Sequence, residues 1–106
     1  MNGKSALPKN ILSAMRAHTP FQQKVWLACA KIPSGKTLSY GELARRIGHP
    51  QAARAVGSAL AKNPFAPTVP CHRVVAAHNK PGGYSGPGGI KAKLELLQLE
   101  KLRASR

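Results

Sequence analysis

The chain contains no aspartate. Its only carboxylate side chains are Glu42, Glu95 and Glu100, against 17 lysines and arginines in 106 residues. Two-metal nucleases and glycosidases that use paired carboxylates need clustered acids, so both classes are excluded. Cysteine is almost as scarce. Cys29 and Cys71 stand far apart and belong to no Cys-x-x-Cys pair, which argues against a structural zinc site and against a disulfide framework. No metal or cofactor is expected. No run of residues is long enough to span a bilayer, and the start shows no signal-peptide core, so the simplest location is the reducing cytoplasm. The length suits one modest domain and is too short for two. No internal repeat or low-complexity segment is present.

What the chain has instead is positive charge, a formal net of +14. Such an imbalance speaks to partners rather than to fold. A polyanion is the natural counterpart, with nucleic acid first. An anionic membrane surface ranks below it, because no long basic helix carries bulky apolar residues on its opposite face.

Residues 1–18 read as a basic arm, in which Ile11, Leu12 and Met15 can form a short helix, and the ordered core is expected to begin at Thr19. Thr19-Pro20-Phe21-Gln22 combines an N-cap, a proline at the first helical position and a glutamine at the third. The helix it opens carries Val25, Trp26, Cys29 and Ala30 on one apolar stripe, which turns Cys29 toward the core as a quiet thiol. Pro33-Ser34-Gly35-Lys36 reads as a turn. Ser39-Tyr40-Gly41-Glu42 is a second capping box, opening a short helix that Gly48 ends. Pro50 starts the next helix, expected from about Gln51 to Lys62 and stopped by Asn63-Pro64. Two short helices joined by a Gly-His turn predict a helix-turn-helix. The second is rich in small residues, among them Ala52, Ala53, Ala55 and Gly57, and fits either close approach to another surface or tight internal packing; Arg54 and Lys62, its long cations, favour the surface. Val74-Val75-Ala76-Ala77 reads as a strand, residues 78–83 as a turn or wing, and residues 84–89 as a glycine-rich loop. A leucine-rich helix follows, and residues 102–106 form a basic tail. The expected fold is mostly α with a small β element, a winged helix-turn-helix-like single domain over residues 19–101.

The run Pro70-Cys71-His72-Arg73-Val74-Val75 concentrates the chemistry. A thiol follows a rigid proline and precedes an imidazole and a guanidinium, and such surroundings favour the thiolate. Read alone, Cys71 fits two roles, a reactive sulfur or a buried apolar residue. Glu100 likewise fits a solvated helix end or a carboxylate presented at a covered site.

The Cys71 run, preceded by Asn63-Pro64 and followed by Tyr84-Ser85-Gly86, resembles the DNA-binding domain of the alkylguanine-DNA alkyltransferases, the methylated-DNA–protein-cysteine methyltransferases. The resemblance extends over about residues 19–101. It includes Ser39-Tyr40, the stretch Ala52-Ala53-Arg54-Ala55-Val56-Gly57, and Leu96-Leu97 followed by Glu100. Several separated motifs in the right order make it specific. It implies DNA repair by transfer of an alkyl group from the exocyclic oxygen of guanine to Cys71. His72 then matches the base that takes the thiol proton through a water, and Glu100 the carboxylate that orients that histidine. Asn63 matches the asparagine bracing the helix-turn-helix against the active-site loop. Tyr40 matches the tyrosine that contacts the flipped base and the rotated phosphate, and Arg54 the arginine that fills the gap in the base stack. Ala52, Ala53 and Gly57 fall on the implied DNA-binding helix. Ser85 matches the residue whose backbone N–H bonds the guanine oxygen, and Cys71 and Val74 match positions whose carbonyls read the guanine amino group; Tyr84 and Ala66 complete the pocket wall. The implied partner is double-stranded DNA carrying alkylated guanine, bound by a protein that is monomeric when free and nucleoid-associated through DNA.

Chemistry supports these roles independently. An alkylated guanine lies inside the duplex, so attack requires extruding the nucleotide, at a cost of a few kcal/mol. An arginine reaching in from a slim helix offsets part of the lost stacking. The alkyl carbon needs an aligned thiolate and a proton donor for the departing guanine, with Tyr40 the candidate donor. The thioether product is stable, which predicts one turnover per molecule. Two features depart from the family pattern. The loop Gly86-Pro87-Gly88-Gly89 is one residue longer than usual, and Ala66 stands where many relatives have proline; both bear on which alkyl groups fit. The common two-domain members also carry an extra N-terminal domain where this chain is expected to have only a short arm. Two other readings use the same residues, a binder that flips the damaged base without removing the alkyl group, and a structural helix-turn-helix DNA binder.

Overall fold

The computed structural model describes residues 7–66, 68–76 and 88–104. Among these residues, five helices and a two-stranded sheet follow in the order α1 (Lys9–Met15), α2 (Pro20–Ala30), β1 (Leu38–Ser39), α3 (Tyr40–Arg46), α4 (Ala53–Ala61), a 3-10 turn (Cys71–Arg73), β2 (Val74–Val75) and α5 (Gly89–Ala104).

Both capping boxes form. The Gln22 N–H donates to Thr19 Oγ1 and the Thr19 N–H to Gln22 Oε1, each at 3.1 Å. The Glu42 N–H donates to Ser39 Oγ at 3.1 Å and the Ser39 N–H to Glu42 Oε1 at 2.8 Å. Each box satisfies N–H groups that a helix start otherwise leaves open. On α2 the expected stripe of Val25, Trp26, Cys29 and Ala30 is buried. Leu43 and Ala44 of α3, and Val56, Ala59 and Leu60 of α4, close the core against it. The Trp26 indole N–H donates to the Ala59 carbonyl at 2.9 Å, locking α2 onto α4. His18 and Phe65 meet the Trp26 ring edge-on, with centroids 4.8 and 5.6 Å away. Gly48, at φ +83°, ends the α3 segment in the left-handed region, so α3 and α4 form the expected helix-turn-helix.

The structure corrects several boundaries. The core begins before Thr19: α1 lies within the expected arm, and Met15, 1% exposed, sits in the hydrophobic cluster. The short helix read from Ile11, Leu12 and Met15 forms, but nothing local marks its packing onto the rest of the core, which is a tertiary contact. The second helix of the pair starts at Ala53, after a turn at Pro50–Ala52, rather than at Gln51. The last helix continues through Ala104, so part of the expected basic tail is helical. The strand at Val74 is two residues long and pairs in parallel with β1, Leu38 opposite Val74 and Ser39 opposite Val75. The expected wing and most of the glycine-rich loop lie outside the described residues.

The largest surprise is the orientation of α5. Ile90, Leu94, Leu99 and Leu102 are about half exposed, whereas its buried residues are Lys93 and Glu100. The helix turns a lysine and a glutamate toward the protein, and its N-terminal half reaches the strand through Lys93, whose Nζ donates to the Val74 carbonyl at 2.8 Å. Its C-terminal end packs on the turn at Gly35. That glycine has φ +89°, and a Cβ there would lie 2.6 Å from the Cβ of Ala104. Gly35→Ala should therefore lower the urea midpoint. The left-handed backbone alone accounts for about 1–2 kcal/mol, and a second Ala104→Gly change should recover only the part due to the clash, with the m-value unchanged in both variants.

Candidate active site

Three structural devices position Cys71. First, Asn63, buried at the end of α4, donates through Nδ2 to the Val69 carbonyl at 3.0 Å, while its Oδ1 accepts the Phe65 N–H at 2.8 Å. The Cys71 N–H donates to that same Val69 carbonyl at 2.8 Å. One carbonyl thus joins the helix-turn-helix to the cysteine. Second, Cys71, His72 and Arg73 form a single 3-10 turn, closed by the Arg73 N–H on the Pro70 carbonyl at 2.9 Å. Third, β2 follows at once and pairs with β1. Because Ser39 both ends β1 and caps α3, and the pairing is parallel, Tyr40, the first residue of α3, lies at the end of the sheet away from the Cys71 turn.

Cys71 is 4% exposed and His72 2%. The His72 ring meets Glu100 through Nε2, 2.8 Å from Oε2. With that nitrogen directed at a carboxylate, Nε2 carries the proton and Nδ1 the lone pair in neutral His72. Glu100 also receives Arg73, through Nε to Oε1 at 2.9 Å and Nη2 to Oε2 at 2.7 Å. Burial alone would raise the Glu100 carboxyl; the hydrogen bonds from Arg73 and His72 outweigh it and hold the group below its ordinary 4.5. On the other flank, burial lowers the Lys93 ammonium from its ordinary 10.5, opposed by the nearby Cys71 and Cys29. Cys29, fully buried in α2 as expected, is pushed up to about 12 by burial and by Cys71, which makes it chemically quiet.

The remaining expected residues separate into groups. Val74 is fully buried and its carbonyl accepts Lys93; Ala66 is half-buried against the core. Tyr84 and Ser85 lie outside the described residues. Arg54 is exposed on α4, on a face that also carries Ala55, Ser58, Ala61 and Lys62, while Ala52, Ala53 and Gly57 are half-buried. Gly57 faces the Tyr40 ring across a gap that a methyl group would fill, since an added Cβ would lie 3.9 Å from the ring carbons. Arg45 and Arg46 expose two further cations at the end of α3. Arg73 was legible only as a guanidinium beside Cys71, not as a partner of Glu100, and Lys93 was not legible as a site residue. Both partner groups are remote in sequence, and a cation in so basic a chain carries no distinguishing mark. Among the described residues no cluster of three or more metal-ligating side chains occurs, and no helix is long and apolar enough to cross a membrane.

Residues 20–102 match the family model described as the DNA-binding domain of 6-O-methylguanine DNA methyltransferase. The chain belongs to this family. It is 58% identical over 86 residues to the methylated-DNA–protein-cysteine methyltransferase of Mycobacterium bovis, an alignment covering 81% of this chain and 51% of that protein. Among solved structures, the Mycobacterium tuberculosis OGT in complex with DNA superposes with a TM-score of 0.77 at 57% identity, over 81% of this chain and 52% of that one. The S. pombe Atl1 bound to damaged DNA containing O6-carboxymethylguanine superposes with a TM-score of 0.67 at 35% identity, over 76% and 74% of the two chains. The chain therefore spans about half the length of the methyltransferases it matches. The fold expected from the sequence, mostly helical with a small β element and a helix-turn-helix, is the fold of this methyltransferase domain.

The Glu100 arrangement has a sign in pH. Its folded-state carboxyl ionises below the unfolded one, so its contribution to stability is complete above the unfolded value of about 4.5 and is lost as pH falls through the folded value. Glu100→Gln should consequently be less stable than the parent near neutrality, and the gap should narrow steadily below about pH 4.5. Urea midpoints of both proteins across that range check it.

Proposed function

We propose that this chain repairs DNA by transferring an alkyl group from the exocyclic oxygen of guanine to Cys71, once per molecule, on double-stranded DNA in the cytoplasm. The observation that supports the reading most directly is the 2.8 Å bond between His72 and Glu100, made by the residue next to Cys71 in a chain of this family. The names of the relatives and the DNA seen in their structures point the same way.

Each step has a residue suited to it. DNA approaches the exposed face of α4, drawn by the +14 net charge. The damaged nucleotide is extruded, and Arg54 fills the space in the stack. The Cys71 thiol gives its proton, through a water, to Nδ1 of His72, and Glu100 stabilises the resulting imidazolium in the manner of a triad carboxylate. The thiolate attacks the alkyl carbon; the S–C bond forms as the C–O bond breaks. The electron pair of that bond leaves with guanine, which takes a proton from Tyr40, and the tyrosinate recovers one from the imidazolium. The products are S-alkylcysteine and intact guanine. No group in the chain is suited to hydrolyse a thioether, so the reaction ends there. Val74, Ala66, Tyr84 and Ser85 wall the base pocket in this reading, and Asn63 holds the cysteine turn against the helix-turn-helix.

Incubation with methylated duplex DNA should add the mass of one CH2 to the tryptic peptide of residues 63–73. DNA binding without that gain would leave the base-flipping binder as the better reading, and equal affinity for damaged and intact duplex the structural binder. His72→Ala should slow transfer with little change in DNA affinity.

Arg54→Ala should reduce transfer on duplex DNA more than on a single strand, where no stack needs filling. A comparison of single-turnover rates on the two substrates tests this; equal losses would remove the stack-filling role.

A further inference from the structure

We infer that Arg73 is a positioning residue of the site, clamping the Glu100 carboxylate in the orientation in which it holds His72. The inference rests on the alkyl-transfer reading for its biological meaning, though not for its geometry.

Arg73 directs three donors at fixed acceptors. Nε and Nη2 meet the two oxygens of Glu100 side by side, at 2.9 and 2.7 Å, and Nη1 meets the Ile32 carbonyl at 2.7 Å. The first pair is the forked guanidinium–carboxylate geometry, which fixes the plane of the carboxylate as well as its place. The third bond ties the fork to the end of α2, a rigid part of the core. A glutamate side chain has a broad, two-fold terminal torsion of its own, and nothing in a helix pins it. Here the oxygen that Arg73 Nη2 holds, Oε2, is the same atom that meets His72 Nε2 at 2.8 Å. Rotating the carboxylate away from Arg73 would withdraw Oε2 from the histidine. His72 and Arg73 are consecutive residues of one 3-10 turn, so the histidine, the fork and the cysteine are set by the same backbone.

Arg73 also holds a charge in place. Of the groups around Glu100, Cys71, His72 and Arg73 come from the 3-10 turn, and Lys93 and Lys101 from α5. Lys101 lines with Glu100, Gly35, Thr37 and Leu97 a cleft of about 240 Å³, beside the turn that carries Lys36. Arg73 makes two of the three side-chain hydrogen bonds given above for the carboxylate, and these are the main influence keeping it ionised against burial. A protonated Glu100 would no longer stabilise a cationic His72 next to the Cys71 sulfur.

The test uses the whole chain without DNA, so that it does not depend on alkyl transfer. The rate at which iodoacetamide alkylates Cys71 is followed by intact mass against pH; buried Cys29, with its thiol near 12, does not interfere. Arg73→Met should slow alkylation at about pH 5 by about tenfold more than at about pH 8, since loss of a close opposite charge typically moves a carboxyl by a unit or more. Arg73→Lys, which keeps the charge but not the fork, should recover part of the loss, and it preserves the test if the methionine variant does not fold. In a Glu100→Gln background Arg73→Met should add nothing to the pH dependence. An unchanged pH profile in the single variants, or an equal change with and without Glu100, would overturn the assignment. A chain that shows the Arg73 dependence and yet takes no alkyl group from DNA would retain it and lose the alkyl-transfer reading instead.

Discussion

The Glu100 carboxylate is met by His72 from one side and by Arg73 from two donors, and much of the molecule is arranged around that meeting. An ionised carboxylate turned inward carries a large desolvation penalty unless it is paired and hydrogen-bonded. The chain meets that condition by presenting both partners from one turn, Cys71–Arg73, and by anchoring the turn at each end. Upstream, Asn63 and Cys71 share the Val69 carbonyl; downstream, β2 pairs with β1. Cys71, the proposed nucleophile, belongs to the segment that has to be rigid for the carboxylate to be tolerated at all. Stability and reactivity therefore draw on the same contacts.

This constraint explains why α5 faces the way it does. A helix with leucines at 94, 96, 97, 99 and 102 would ordinarily bury them. In this structure Lys93 and Glu100, seven residues apart and so on one face, point inward to the Val74 carbonyl and to the His72–Arg73 pair. The leucines are left outside or half covered. Two charge-assisted attachments at 2.7–2.9 Å, one at each end of the contact, fix the rotation of the helix more sharply than nondirectional apolar burial can. The bare turn at Gly35 then lets the end of α5 approach closely.

How much of this could be read from the sequence follows the range of the interactions. The capping boxes at Thr19 and Ser39, the stop at Gly48 and the apolar stripe of α2 are local, encoded within a few residues, and the structure has them as expected. The β1 strand is only two residues long and exists because Val74 and Val75 lie beside it, thirty-odd positions later; no local pattern marks it. Met15 joins the core through a tertiary contact. The orientation of α5 was hidden because its apolar pattern points to the wrong face. Cys71, His72 and Glu100 stood out through their motif context, yet Arg73, in the same motif, had no assigned partner, since a fork is visible only when both carboxylate oxygens are. Tyr84 and Ser85 remain expectations of the resemblance alone.

The scarcity of acids gives each carboxylate unusual weight. Glu42 closes the capping box of α3, the helix that begins at Tyr40, and Ser39 holds its carboxyl below the ordinary value. Glu100 organises the cysteine turn through His72 and Arg73. In a chain with a +14 net charge, any carboxylate sits in a positive field that favours its ionised form, and the same field draws a polyanion to the surface. The basicity that serves DNA binding in the proposed function thus also helps keep the internal anion charged. An additional acid near the 3-10 turn would compete for Arg73 and His72. The clamp is well defined because Glu100 meets no rival carboxylate there: Glu42 lies at the start of α3, and Glu95 is exposed on α5.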